Sequence, residues 1–156
     1  MKRLLFLASL LILVPVGLIA RRRVMRSSSR ASDVVTRQYE AIQNQDWDTL
    51  ADIYSSDVQY RDPEAELYGK DAVVERAREL EAPFINASFS PQFIRGDDSF
   101  AVTEWTYSGT PVELEGIAEN RRITVSGLSF FEVRDGRIVE ERSYWTVPQR
   151  EAMAAV

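Results

Sequence analysis

Arg121 to Thr146 reads RRITVSGLSFFEVRDGRIVEERSYWT, two runs rich in β-branched and aromatic residues on either side of Asp135-Gly136. That dipeptide is a strong tight-turn signal, so Arg121–Val133 and Arg137–Thr146 are predicted to form an antiparallel hairpin. The period of two continues upstream. In Ser99–Ser108, Ala101, Thr103, Trp105 and Tyr107 share one face, and Phe100, Val102, Glu104 and Thr106 the other. Gly96-Asp97-Asp98 turns into that strand from Phe89–Arg95, which Pro91 marks as an edge or bulged strand. Thr110 to Asn120, with Gly116, is a longer acidic connection.

Nearer the N-terminus the period lengthens. Asp33–Asn44 places Val35, Tyr39 and Ile42 on one helical face, with Ser32 as the expected N-cap. Asp46 opens a second short helix with Trp47, Leu50 and Tyr54 as its buried stripe. Val58–Arg61 reads as a strand closed by Asp62-Pro63, because a residue before proline is pushed extended. Gly69 precedes a third helix in which Val73, Ala77, Leu80 and Phe84 recur at helical spacing. Helices first and antiparallel strands afterwards make an α+β layout, with no internal repeat.

The length of 156 residues suits one domain, and 45% hydrophobic with 28% charged content suits an ordinary folded protein. Cysteine and histidine are both absent. Disulfides, thiol chemistry, histidine triads and the usual zinc or haem sites are thereby excluded, and no cofactor or metal is expected. Seven basic residues and no acid lie in residues 1–30, which leaves 12 basic against 24 acidic residues in the remainder. So acidic a body argues against nucleic acid as a partner.

Leu4 to Ala20 reads LLFLASLLILVPVGLIA, without a charge. As a helix it would span about 25 Å, the lower limit for a bilayer. It runs into Arg21-Arg22-Arg23 and lacks a small-x-small site, so an uncleaved anchor is the expectation, with a signal peptide or a start at Met25 as alternatives. Five arginines follow the apolar run (Arg21, Arg22, Arg23, Arg26 and Arg30) and two basic residues precede it, which predicts a single-pass protein with a cytoplasmic domain. Domain organisation is then residues 1–30 as anchor and basic linker, 31–148 as the folded domain, and 149–156 as a tail.

Several phrases within this order resemble the SnoaL-like branch of the nuclear transport factor 2-like superfamily, which includes polyketide cyclases and ketosteroid isomerases. They are Gln45-Asp46-Trp47-Asp48, then Tyr54 to Pro63, Gly69-Lys70-Asp71-Ala72-Val73, Ser108-Gly109-Thr110, and Val133 to Arg142. The resemblance spans about residues 32–148. It implies a cone: three N-terminal helices packed on a curved, mostly antiparallel sheet around an apolar pocket, often in a homodimer.

Asp62 matches the general-base aspartate of the isomerases, with Tyr60 on the same strand face. The alternative is a strand-end turn before Pro63. The resemblance carries the isomerases' tyrosine donor to Gln38 and their protonated aspartate to Leu128, so oxyanion stabilisation is lost. The hydrolase branch wants Arg and Asp where Trp105 and Tyr107 stand, and the cyclases often rely on a histidine. Lys70 adjoins a turn, and no glycine-rich phosphate loop is present. Asp97-Asp98 and Glu140-Glu141 read as a turn and a solvated strand, and Glu104 with Arg142 as a cross-strand pair. Asn86-Ala87-Ser88 fits a glycosylation sequon that a cytoplasmic domain would not use. Tyr60, Trp105, Tyr107, Phe130 and Trp145 are the candidate ligand-binding aromatics, with core packing as the plain alternative.

The expectation is a membrane-anchored domain that binds an apolar small molecule or a protein partner without the family's standard catalysis. A cyclase or isomerase using Asp62 as base is the runner-up, and an accessory subunit of a membrane complex the third reading.

Overall fold

The computed structural model describes residues 30–112 and 121–146. The apolar run 4–20 and the tail 149–156 lie outside the described residues. Within them no helix is long and apolar enough to cross a membrane.

The order is α1 (Ala31–Gln43), α2 (Trp47–Ile53), β1 (Tyr54–Arg61), β2 (Glu66–Tyr68), α3 (Lys70–Glu81), β3 (Phe84–Gly96), β4 (Phe100–Pro111), β5 (Ile123–Arg134) and β6 (Arg137–Trp145). Six strands form one sheet ordered β2-β1-β6-β5-β4-β3. All neighbours are antiparallel except β1 and β6, which run parallel. Asp135 and Gly136 both take positive φ, the conformation a two-residue hairpin turn demands.

Helix α1 lays Val34, Val35, Gln38, Tyr39 and Ile42 into the interior. It begins earlier than expected. Arg30 precedes its first turn, and Ser32 lies inside the helix rather than capping it. The Ala31 N–H donates to the Asp97 carbonyl of the β3–β4 turn at 3.1 Å, so a tertiary contact replaces the side-chain cap. Asp46 caps α2 as expected, accepting from Thr49 N at 3.0 Å. Helix α3 ends at Glu81, and Phe84 starts β3 instead of closing the helical stripe, because Pro83 stands between them. β3 is an edge strand with a register shift between Pro91 and Phe93. Its first half carries no two-residue pattern, and a second shift between Ile85 and Ser88 is the reason. The core joins α1, α2 and the inner sheet face through Leu50, Ile53, Val58, Ala101, Phe131 and Ile138.

Candidate functional site

The inner face of β4, β5 and β6 is polar where a core is expected to be apolar. Thr103 pairs with Ser129 in register, and Ser129 with Ser143. Glu141 precedes Ser143 on the same face and is 5% exposed. Tyr54 Oη donates to Glu141 Oε2 at 2.5 Å, Gln38 Nε2 to the same oxygen at 3.2 Å, and Ser143 Oγ to Oε1 at 3.1 Å. Burial pushes the Glu141 carboxyl up to about 7; the Tyr54 and Ser143 hydrogen bonds pull the other way, and the charge of Asp62 adds to the rise. Burial likewise raises the hydroxyls of Tyr39, Tyr54 and Tyr60, which stay protonated donors.

Sequence reasoning placed Glu140-Glu141 on a solvated strand, and Glu141 is a correction. Glu132 pairs with Glu140 but Val133 with Ile138, so β6 carries one extra residue. That bulge inverts the alternation and turns 141, 143 and 145 inward, where a regular strand starting at buried Ile138 would have turned 140, 142 and 144.

Asp62 and Tyr60 are brought together, with Tyr60 Oη donating to Asp62 Oδ2 at 3.0 Å. Arg76 Nε from α3 donates to the same oxygen at 3.0 Å. The backbone N–H groups of Glu64 and Ala65 both donate to Oδ1 at 2.7 Å. The Asp62 side chain is fully buried, and four donors occupy its two oxygens. Arg76, which no sequence motif flagged, also reaches Glu64 at 2.7 Å.

The candidate aromatics divide. Trp105, Tyr107 and Trp145 share the inner face with Phe89 and Tyr39: ring centroids are 6.0 Å apart for Trp105–Trp145, 5.1 Å for Phe89–Trp105 and 4.8 Å for Tyr39–Phe89. A Cβ on Gly127 would lie 2.3 Å from the Trp105 ring, so this glycine makes the slot the indole occupies. Phe130 does not belong to this wall. It is on the opposite sheet face, against Phe100 and Tyr144, because strand alternation separates it from inward-facing Ser129 and Phe131. Leu128 is also outward, and Glu104 faces Leu128 on β5, which lies between it and Arg142. Arg142 pairs instead with Glu140 at 3.1 Å. Among the described residues no cluster of three or more carboxylates could hold a metal ion.

Residues 35–141 match the profile of the SnoaL-like domain. The chain belongs to the SnoaL-like family. Among solved structures, this SnoaL-like chain resembles IdmH from Streptomyces antibioticus, a candidate polyketide cyclase, at 22% identity and TM-score 0.71, covering 80% of this chain and 98% of that one. It also resembles an LEH-like epoxide hydrolase of M. tuberculosis (23%, TM-score 0.60, 73% of this chain and 80% of that one). A third is a ketosteroid isomerase-like fold from Catenulispora acidiphila, solved with trimethylamine (15%, TM-score 0.67, 82% and 95%). These likenesses show the fold. No curated protein matches the chain.

Proposed function

We propose that this SnoaL-like domain receives an apolar small molecule against the Trp105–Trp145 wall, and that Leu4–Ala20 tethers it to a membrane with the domain on the cytoplasmic side. The observation that carries the reading is the aromatic wall on the inner face, in which Trp105 is buried in the slot at Gly127 and Trp145, Phe89 and Tyr107 are partly buried. Apolar ligand sites are built in this way, from concave aromatic surface with few polar groups. Titration with N-phenyl-1-naphthylamine tests it. Saturable binding is expected, weakened at least about tenfold by Trp105→Ala and unaffected by Phe130→Ala on the other sheet face. Equal losses from both substitutions would sink the wall as the site. Protease added to intact cells should spare the domain, and digestion there would overturn the cytoplasmic placement.

A proton-transfer enzyme with Asp62 as base is the second reading, and the buried Asp62 carboxylate beside the Tyr60 hydroxyl favours it. Against it, all four donors would have to yield before Asp62 could take a substrate proton. Asp62→Asn should therefore cost about 1–2 kcal/mol of stability through the lost charge opposite Arg76. A fall of ~10²-fold or more in turnover with stability unchanged would restore Asp62 as the base. The exposed outer side chains Leu128 and Tyr144 favour a role for that face in pairing with a second copy or a membrane-complex subunit. Sedimentation of Tyr144→Glu against the parent chain tests that role, and an unchanged coefficient would count against it.

A further inference from the structure

Glu141 and Trp105 stand at the two ends of one hydrogen-bond chain across three strands. Ser143 Oγ donates to Glu141 Oε1 at 3.1 Å, the Ser143 and Ser129 hydroxyls pair at 2.6 Å, and Trp105 Nε1 donates to Ser129 Oγ at 2.9 Å. An indole N–H can only donate, so the chain has a direction. With Glu141 ionised, every proton points at the carboxylate: Trp105 to Ser129, Ser129 to Ser143, Ser143 to Glu141. Charge-assisted bonds are roughly twice as strong as neutral ones, and each polarises the next. The ionised carboxylate therefore holds the Trp105 N–H at the aromatic wall.

The other side of Glu141 is built for both proton states. Gln38 is 2% exposed and gives its Nε2 to Tyr54 Oη at 2.9 Å and to Glu141 Oε2, which leaves its Oε1 buried without a partner. A buried acceptor left without a donor is destabilising. Turning the amide over offers Oε1 to a proton on Glu141 Oε2. With the carboxyl neutral, the pull along Ser143 and Ser129 relaxes and the Trp105 N–H is released.

We infer that ligand binding at the aromatic wall is linked to the proton on Glu141: an apolar compound bearing a hydrogen-bond acceptor, such as a ketone, takes the released Trp105 N–H and binds with uptake of one proton. The inference rests on the apolar-ligand reading above and names its ligand class and its control. The proton comes from bulk water and stays on a Glu141 oxygen, and no bond of the ligand forms or breaks. The groups that face Glu141 are Gln38 and Tyr39 from α1, Tyr54 and Tyr60 from β1, and Asp62 just after β1, with Arg76 of α3 reached through Asp62. The rise of Glu141 to about 7 sets the window near neutral pH.

The protein has three indoles, so Trp47 is an internal control. The Trp105 indole N–H resonance is followed from pH 5 to 9, and should titrate near 7 while that of Trp47 does not. Ser143→Ala should cut the Trp105 amplitude severalfold while the Glu141 carboxyl carbon still titrates, and Glu141→Gln should abolish both. Naphthalene and 2-acetylnaphthalene serve as probes. Affinity for the ketone should rise toward about tenfold per pH unit as pH falls through the window, and that for the hydrocarbon should stay flat. A pH-flat Trp105, an unaltered Trp105 titration in Ser143→Ala, or equal pH slopes for the two probes overturns the linkage. Failure of both probes to bind at any pH would instead defeat the apolar-ligand reading, with the Trp105 titration still deciding whether the chain transmits the proton.

Discussion

Strand β5 carries two adjacent phenylalanines in opposite surroundings. Phe131 faces inward, 1% exposed, in a core whose neighbouring positions include Ser129, Ser143 and Glu141. Phe130 faces outward, half-buried, against Phe100 and Tyr144. A sheet with one wet face ordinarily keeps its polar groups outside. Here serines, a threonine and a glutamate are buried, while aromatic rings line the face away from the helices. Burying polar groups costs free energy unless each is hydrogen-bonded, and the Glu141–Ser143–Ser129–Trp105 chain meets that cost by joining the buried groups to one another.

The sharpest test of that contrast is the phenylalanine pair itself. Phe131→Ala should cost about 3–5 kcal/mol in chemical denaturation, as deletion of a fully buried ring does. Next comes the pH dependence of stability. The folded state holds the Glu141 proton up to about 7, whereas the unfolded chain releases it near the ordinary glutamate value of 4.5. Between those values the folded state binds more protons, so stability falls as pH rises from about 4.5 to 7, by about 3 kcal/mol in total. Glu141→Gln should remove most of that slope. A shallow residue should persist, because burial also raises Glu81. A slope unchanged in the variant would mean that the inner face does not hold a strained carboxyl.

Smaller effects refine the comparison. Gly127→Ala should cost about 1–3 kcal/mol and shift Trp105 fluorescence, since a methyl there meets the indole. Phe130→Ala should cost about 1 kcal/mol or less at any protein concentration. A larger, concentration-dependent loss would show the outer face covered by a second copy, and the two faces would then both be buried.

Much of this was legible beforehand, for physical reasons that are local. Asp135-Gly136 needs positive φ at two successive residues, and few dipeptides supply it cheaply, so the β5–β6 hairpin was readable. Pro91 cannot donate to a ladder, and its strand is at the edge. What escaped depends on distant parts of the chain. β2 is three residues long and exists through its pairing with β1. The inward turn of Glu141 follows from a single inserted residue in β6, which nothing in Val139-Glu140-Glu141 announces. Asp62 was singled out by its match to the isomerases' general base, but Arg76, which donates to its carboxylate, comes from α3, fourteen positions on.

The parallel pairing of β1 with β6 has a consequence for how the molecule comes into being. Tyr54 and Glu141 are 87 positions apart, and the strand bearing Glu141 is the last described element to be made. Contacts of such separation are entropically late in folding. A nascent chain would expose the inner side of α1, with Gln38 and Tyr39, until β6 slots between β1 and β5. Glu141 therefore leaves water in the closing step, and acidity that favours its neutral form should speed the final assembly of the sheet.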